Sequence, residues 1–273
     1  MQDKYTMPKV PGGILKDNRK LLDLLNRKQK GPFKISDAVN ILGISYSRAS
    51  RLLAYWASRG WLTRVCKGLY IIVPLGTLKP SERREDPWII AAQIFTPGYI
   101  GGWSACEHWG LTDQIFKDIV VFTSRLVRNR KILIQNTSYI AKVVQKEKLF
   151  GTSTIWRQQT KVRVSDRTRT LIDILDDPSI GGGMRHIAEI VRQYFEGDYR
   201  DEVKLFKYIK LLNNRTVYKR LGYIIETLNL KTPKIIEICK SNMSKGYSVF
   251  DPTVSIKGHI LRRWNLWINV TIK

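Results

Sequence analysis

The chain has 273 residues, which exceeds the usual size of one domain, so its length predicts two units that each bury a core. Hydrophobic residues make up 43% and charged residues 26% of the sequence, a globular balance that argues against disorder. With 47 Lys and Arg against 23 Asp and Glu, the formal net charge is +24, which suits a polyanion such as nucleic acid or an anionic membrane surface.

Several features argue against a membrane-embedded or disulfide-linked protein. The longest apolar stretches, such as 88–95, fall far short of the roughly 18 residues that a spanning helix requires. The polar start at 1–13 lacks the apolar run of a secretory signal, so we expect a cytoplasmic protein. Cys66, Cys106 and Cys239 are far apart, and we expect them to be reduced and packed rather than paired or bound to zinc.

The first predicted elements are two helices joined by a tight turn. Apolar residues at a mostly helical spacing predict a helix over 13–29, which Gly31 and Pro32 terminate. Ser36 is the predicted cap of a short second helix, and Gly43 provides the flexible backbone that a sharp turn needs. The turn is predicted over 43–45.

A third helix and two strands complete the N-terminal pattern. Ala49, Leu52, Leu53 and Trp56 fall at i, i+3, i+4 and i+7, which places them on one helical face. Gly60 ends this helix, and 61–65 and 69–73 are predicted strands joined across 66–68. This order of elements is typical of a winged helix-turn-helix.

Such a unit binds DNA by placing one helix, about 10 to 12 Å wide, in the major groove. Arg48 and Arg51 are the predicted base-reading residues, whereas Arg64 and Lys67 of the wing are expected to meet phosphates or the minor groove. The full set of candidate DNA-binding residues is Ser45, Tyr46, Ser47, Arg48, Ser50, Arg51, Tyr55, Arg64 and Lys67. The alternative is an ordinary solvated helix face, or a winged helix that contacts only proteins.

Charge and composition place the domain boundary near residue 80. Residues 1–80 contain 15 Lys and Arg against 4 Asp and Glu, so the positive charge is concentrated where the motif lies. Three prolines and a mixed-charge run over 74–87 are typical of a linker. We therefore predict a winged-helix domain at 1–78, a linker at 79–87 and a second domain at 88–273.

The second domain is predicted to be a mixed β-sheet with several helices, which makes the whole chain α/β mixed (α+β). The predicted pieces are a helix at 88–95, a turn at 99–102, a short helix capped by Ser104 and ended by Gly110, strands at 119–123, 138–144 and 161–165, and helices at 168–175, 184–195, 202–212, 216–228 and 233–243. Alternating apolar residues from Trp264 to Val270 predict a last strand that returns to this sheet.

Few residues of the second domain suggest chemistry. Glu107 and His108 are neighbours on a helix and diverge, so structural roles are favoured. Asp166, Arg169 and Asp173 share one helix face, where an exposed ion-pair ladder is the simplest interpretation. Glycines at 181–183 could cradle a phosphate but lack the Lys and Ser/Thr of a nucleotide loop. We therefore predict no catalytic residues, no metal site and no cofactor.

Short motifs along nearly the whole chain resemble a known family. They are 67–70 (KGLY), 101–111 (GGWSACEHWGL), 150–151 (FG) with Trp156, 164–173 (VSDRTRTLID), 251–252 (DP) and 263–264 (RW). Together they resemble the AbiEi antitoxins of type IV toxin-antitoxin systems. The resemblance implies a winged helix that represses its own operon at inverted repeats. It also implies a C-terminal domain, with candidates Glu107, His108, Asp166, Arg169 and Asp173, that counters a nucleotidyltransferase-like AbiEii toxin. A stable contact between the two proteins is not required by the resemblance.

Two alternatives of other classes remain open. A winged-helix transcription regulator with a ligand-sensing second domain would bind a small molecule there. A DNA-targeted nuclease would need clustered carboxylates around a divalent metal, for which Asp166 and Asp173 offer the nearest approach.

Overall fold

A computed structural model describes residues 16–74 and 84–272. Its contacts divide the chain into two compact units. Among the described residues, unit 1 contains 16–74 and 84–94 together with Leu133–Asn136 and Trp156–Lys161, and unit 2 contains Phe95–Ile132, Thr137–Ile155 and 162–272. Of the predicted linker, 79–83 lies outside the described residues, and the predicted domain boundary stays a prediction.

Unit 1 has the predicted winged helix-turn-helix order. Its elements are α1 (Lys16–Lys28), β1 (Phe33–Lys34), α2 (Ile35–Leu42), α3 (Tyr46–Ser58), β2 (Leu62–Cys66), β3 (Leu69–Ile72) and α4 (Pro87–Ile94). The three strands form an antiparallel sheet in the order β1-β3-β2. Gly43 lies between α2 and α3 at a φ of 63°, a left-handed conformation that glycine adopts without strain.

The core of unit 1 forms where the apolar faces of its helices meet. Leu25 of α1, Ala38 of α2, and Leu53 and Trp56 of α3 are fully buried with Phe33 of β1. In α3, the buried Ala49, Leu53 and Trp56 recur every three to four residues, so one face of the helix packs in the core and the other is exposed.

The start of α2 differs from the prediction, because Ser36 is not its cap. The chain passes directly from β1 into α2, so Lys34 is the residue that flanks the helix. The backbone nitrogen of Lys34 donates to the Asp37 carboxylate at 2.8 Å. An acidic side chain in the first turn therefore satisfies a donor at the helix start, as it does in a capping box.

Unit 1 also recruits residues from distant parts of the sequence. The backbone nitrogen of Glu85 donates to the Gln135 side chain at 3.0 Å, and the Arg157 guanidinium lies 4.7 Å from the centre of the Trp88 ring. Gly31 also lies close to Thr160, since a Cβ atom placed on Gly31 would be 3.4 Å from the Thr160 hydroxyl oxygen. Unit 1 is thus assembled from segments that are more than a hundred positions apart in the chain.

The segment from Gly98 to Ser165 contributes the strands of a six-stranded mixed sheet. The strands are β4 (Gly98–Ile100), β5 (Asp118–Thr123), β6 (Lys131–Ile134), β7 (Thr137–Val143), β8 (Thr152–Arg157) and β9 (Thr160–Ser165), in the order β6-β7-β5-β4-β9-β8. Strand β4 is antiparallel to β5 and parallel to β9, and β5 is parallel to β7. The predicted turn at 99–102 is wrong, since Tyr99 and Ile100 are buried in this central strand.

Helices and a second small sheet form the rest of unit 2. The helices are α5 (Gly102–His108), α6 (Arg167–Asp176), α7 (Met184–Glu196), α8 (Glu202–Leu212), α9 (Thr216–Thr227) and α10 (Pro233–Asn242). Helix α6 lies deep in the core, and every residue from Thr168 to Leu175 is buried. None of the helices in the described ranges has both the length and the apolar character that crossing a membrane demands.

Two further expectations for unit 2 are corrected. Gly101, not Ser104, flanks the start of α5, and the buried Ser104 hydroxyl accepts instead from the Val120 backbone nitrogen at 3.1 Å. The last strand, β12 (Leu266–Ile268), does not return to the large sheet. It pairs with β10 (Ser248–Val249) and β11 (His259–Leu261) in a separate three-stranded sheet.

Trp264 shows how this C-terminal segment is attached to unit 2. The Trp264 ring is fully buried, and its indole nitrogen donates to Glu226 of α9 at 2.6 Å. Gly222 of α9 lies against the same ring, and a Cβ atom there would overlap it and come within 3.0 Å of the Cys239 Cβ atom. Only glycine leaves room for this approach.

We expect Gly222→Ala to destabilise the protein by about 1 to 3 kcal/mol, because overpacking against Trp264 outweighs the helix propensity that alanine gains. Gly246→Ala is the matched control, since a Cβ atom at Gly246 meets nothing within 4 Å. We expect the control to change stability by less than about 0.5 kcal/mol. Urea unfolding of both variants measures the difference, and equal stabilities would contradict the packing described here.

Candidate functional site

The free face of α3 presents hydrogen-bonding and cationic side chains. Ser45 precedes the helix, and its hydroxyl accepts from the Arg48 backbone nitrogen at 3.4 Å, as an N-cap does. Tyr46 is 61% exposed and Tyr55 is 38% exposed. Of the other predicted residues of this face, Ser50 is half-buried, and the exposed ones are Ser47, Arg48 and Arg51.

The packing of α3 fixes the direction of that face. Ala49, Leu53 and Trp56 are fully buried, so the residues between them point away from the core. The Arg51 Nε atom donates to the Ser47 carbonyl at 3.4 Å. The Arg59 guanidinium lies 5.5 Å from the centre of the Tyr55 ring, which adds a cation to this surface beyond the predicted residues.

The wing is the hairpin of β2 and β3. Arg64 on β2 and Lys67 at the hairpin turn are both exposed. Gly68 follows at a φ of 81°, a conformation that lets the two strands reverse tightly. The wing thus holds two exposed cations in the same unit as α3.

The charge around these residues is all of one sign along the sequence. No Asp or Glu occurs between Asp37 and Glu82, whereas Arg48, Arg51, Arg59, Arg64, Lys67 and Lys79 fall in that interval. Among the described residues of α3 and the wing, the cations therefore have no acidic neighbour in their own segment. An uncompensated positive surface attracts the phosphate backbone of nucleic acid.

In unit 2, the structure brings Arg169 and Asp173 together as a buried pair. Their side chains are 1% and 2% exposed, and the Arg169 Nε atom lies 2.9 Å from Asp173 Oδ1. The prediction of an exposed ladder is therefore wrong. Spacing of i, i+4 predicted the pair correctly, but it carries no information about which face of the helix is buried.

Tyr99 of β4 completes this cluster, which we call the α6 charge cluster (Tyr99, Arg169 and Asp173). The Tyr99 hydroxyl donates to Asp173 Oδ2 at 3.0 Å and accepts from Arg169 Nη2 at 3.1 Å. The Arg169 guanidinium also lies 4.0 Å from the centre of the Phe150 ring. Tyr99 was missed because a three-residue strand that begins with Gly98 and is followed by Gly101 has the composition of a turn.

Burial shifts the ionisation of the α6 charge cluster. Burial raises the pKa of Asp173 to about 6, although Arg169 and the Tyr99 hydroxyl act in the opposite direction. Burial also raises the pKa of Tyr99 well above its ordinary value, and the nearby Asp173 carboxylate adds to this effect. At neutral pH, Asp173 is therefore ionised and paired with the Arg169 guanidinium.

Asp166 does not pair with the Arg169 side chain. It caps α6, since its Oδ1 atom accepts from the Arg169 backbone nitrogen at 2.8 Å. Its other oxygen, Oδ2, accepts from the Tyr208 hydroxyl at 3.0 Å, and burial together with Asp166 raises the pKa of Tyr208 to about 12. Both Asp166 oxygens and Asp173 Oδ2 thus accept from protein donors, and Asp173 Oδ1 is paired with Arg169, which weakens the case for these carboxylates as nuclease metal ligands.

The other chemical candidates of unit 2 do not form a common site. Glu107 is exposed and His108 is half-buried, with its ring centre 4.6 Å from that of Trp109. After the glycines at 181–183, the Met184 backbone nitrogen donates to the Asp251 carboxylate at 2.7 Å. The start of α7 therefore already holds an anionic group. Within the described ranges, no three His, Cys, Asp or Glu side chains lie together as metal ligands would.

The comparisons with known proteins agree with the geometry of unit 1. Residues 20–73 match the model of the family described as "Transcriptional regulator, AbiEi antitoxin". This match confirms the resemblance for the winged helix. No curated protein matches the sequence.

A solved structure has a similar fold over most of the chain. It is the crystal structure of the RV2827C protein from Mycobacterium tuberculosis, with a TM-score of 0.60 and 14% sequence identity. The match covers 95% of this chain and 94% of that chain. At this identity the similarity concerns the fold alone.

The buried Asp173 predicts a specific dependence of stability on pH. The folded protein holds the Asp173 proton more tightly than the unfolded chain does, since the ordinary pKa is 3.8 and the folded value is about 6. The protonated Asp173 carboxyl therefore contributes fully to the free energy of unfolding below pH 4. This contribution, on the order of 2 to 3 kcal/mol, is lost as the pH rises through 6.

Urea unfolding of the parent and of Asp173→Asn between pH 4 and 7 tests this expectation. The parent should lose stability relative to the variant as the pH rises. Asp113→Asn, at an exposed carboxyl of the same unit, controls for the removal of one negative charge. Parallel profiles of the parent and Asp173→Asn would contradict the raised pKa.

Proposed function

We propose that the protein is a DNA-binding transcriptional autorepressor and an antitoxin that counters a nucleotidyltransferase-like toxin. The comparison establishes the coarser statement, a transcriptional regulator of the AbiEi antitoxin type in the N-terminal segment. The operator, the autorepression and the toxin partner belong to the proposal. A protein with this function acts in the cytoplasm, where its operator lies.

One observation carries the DNA-binding half of the proposal. Helix α3 buries Ala49, Leu53 and Trp56 and leaves Arg48 and Arg51 exposed on the opposite side. Arginine can bind guanine through two parallel hydrogen bonds in the major groove, and the cations of the wing suit the adjacent phosphates. Double-stranded DNA is thus the partner that this surface fits best, and the resemblance implies inverted repeats as the operator.

The antitoxin half rests on the family and on the motifs of unit 2. The matched family consists of antitoxin regulators, and the segment 164–173 that carries the resemblance forms the end of β9 and most of α6. In this segment Arg169 and Asp173 are buried, so they act on a toxin only through the structure that they support. The exposed Glu107 and the half-buried His108 remain candidates for direct contact.

We expect Arg48→Ala or Arg51→Ala to weaken operator binding by about 1 to 3 kcal/mol and to relax base preference, because each removes a base-reading side chain. Lys67→Ala should weaken binding to all DNA alike and lower the salt slope by about 1, because it removes a phosphate contact. Mobility shifts with operator and random DNA at several salt concentrations measure both effects.

Lys234→Ala provides the matched control for these variants. Lys234 is an exposed cation on α10 in unit 2, so its loss changes the net charge equally without touching α3 or the wing. If the three variants of unit 1 bind operator and random DNA as the control does, α3 is not the reading helix.

The two halves of the proposal can be separated within the full chain. We expect the double variant Arg48→Ala/Arg51→Ala, expressed from an unrelated promoter, to lose repression and still to rescue growth when the cognate toxin is produced. Both side chains are exposed, so the fold should survive their removal. Growth and a reporter of operator activity are measured in the same cells. Loss of rescue together with repression would show that neutralisation works through DNA binding.

A further inference from the structure

Unit 2 contains a cavity of about 310 Å³ beside the α6 charge cluster. Its walls come from the end of β7 and the chain that follows it, from α6 and from the last residue of α8. Apolar side chains, including Phe122, Val144 and Leu212, line part of it. The volume lies at the lower end of the range for sites that bind small molecules.

The charged residues of the cavity do not all compensate one another. Lys142 lies 2.9 Å from Asp177 and 3.5 Å from Asp176, and the Asp173 carboxylate pairs with Arg169. Lys148 also lines the cavity, and it forms no ion pair with any carboxylate in the described ranges. One cation is therefore left over after the carboxylates have been paired.

Arg169 adds an unsatisfied donor to this excess. Its Nη2 atom donates to Tyr99, and its Nε atom lies 2.9 Å from Asp173 Oδ1 as an ion pair without hydrogen-bond geometry. Its Nη1 atom is buried and has no acceptor among the described residues. Buried guanidinium groups normally have all their donors satisfied, because an unpaired one costs free energy. A group that accepts from Nη1 would remove this cost.

We propose that the cavity binds a small organic anion, whose phosphate or carboxylate is held by Lys148 and Arg169 and whose apolar part contacts Val144 and Leu212. Asp173 and Asp176 also face the cavity, and their pairing with Arg169 and Lys142 reduces their repulsion of an anion. The site lies wholly within unit 2 and is independent of the DNA-binding face of α3.

The probes are phenyl phosphate, benzoate and the neutral benzyl alcohol, each titrated into the full-length protein by calorimetry. Because the chain carries a net charge of +24, anions will also bind weakly elsewhere on its surface. Lys148→Ala and Lys148→Gln are therefore compared with Lys146→Ala. Lys146 is an exposed lysine in the same short helical turn, Lys146–Lys148, and does not line the cavity.

We expect one anionic probe to bind with a one-to-one stoichiometry, and both Lys148 variants to weaken this binding about tenfold, as the loss of a charge-assisted hydrogen bond does. Lys146→Ala should bind as the parent does. Tighter binding of phenyl phosphate or of benzoate would identify the anionic group. The proposal is overturned if neither anion saturates, if benzyl alcohol binds equally well, or if Lys146→Ala loses as much affinity as Lys148→Ala.

Discussion

Helix α6 lies so deep in unit 2 that each of its polar groups needs a partner inside the protein. Arg169 and Asp173 meet part of this requirement through each other and through Tyr99, while Arg169 Nη1 has no acceptor among the described residues. Thr168 bonds to the Tyr194 hydroxyl at 3.0 Å, and Thr170 bonds to the Ser165 hydroxyl at 2.7 Å. Removing one member of such a buried network leaves the others unpaired, so the network selects one arrangement of the surrounding elements.

The same requirement holds at the end of α6. The buried Arg220 of α9 donates to the carbonyls of Leu175 and Asp176 at 2.7 and 2.9 Å, and to those of Val249 and Phe250 in and after β10. A single guanidinium thus joins the last turn of α6, a second helix and the C-terminal sheet. The small sheet is thus connected to the end of α6 through Arg220, and it forms a sheet separate from the large one.

The sequence predicted the elements whose signals are local. The apolar spacing along α3 and the glycine of its turn were sufficient for the winged helix, and the long amphipathic helices of unit 2 were found close to their observed bounds. The sequence could not show that Tyr99 lies in a central strand, since three residues are too few for a periodic pattern. Nor could it show that the Arg169 and Asp173 pair is buried, because burial is decided by segments far away in the chain.

The assembly of unit 1 bears on how this protein can be recombined. Its winged helix is continuous in sequence, but the compact unit also includes α4 and the segments Leu133–Asn136 and Trp156–Lys161. A chimera that joins the first eighty residues to a foreign partner would leave these segments behind, together with the contact between Arg157 and Trp88. If α3 reads DNA as proposed, grafting its outward side chains would exchange specificity and leave these contacts intact, which transplanting the whole segment would not.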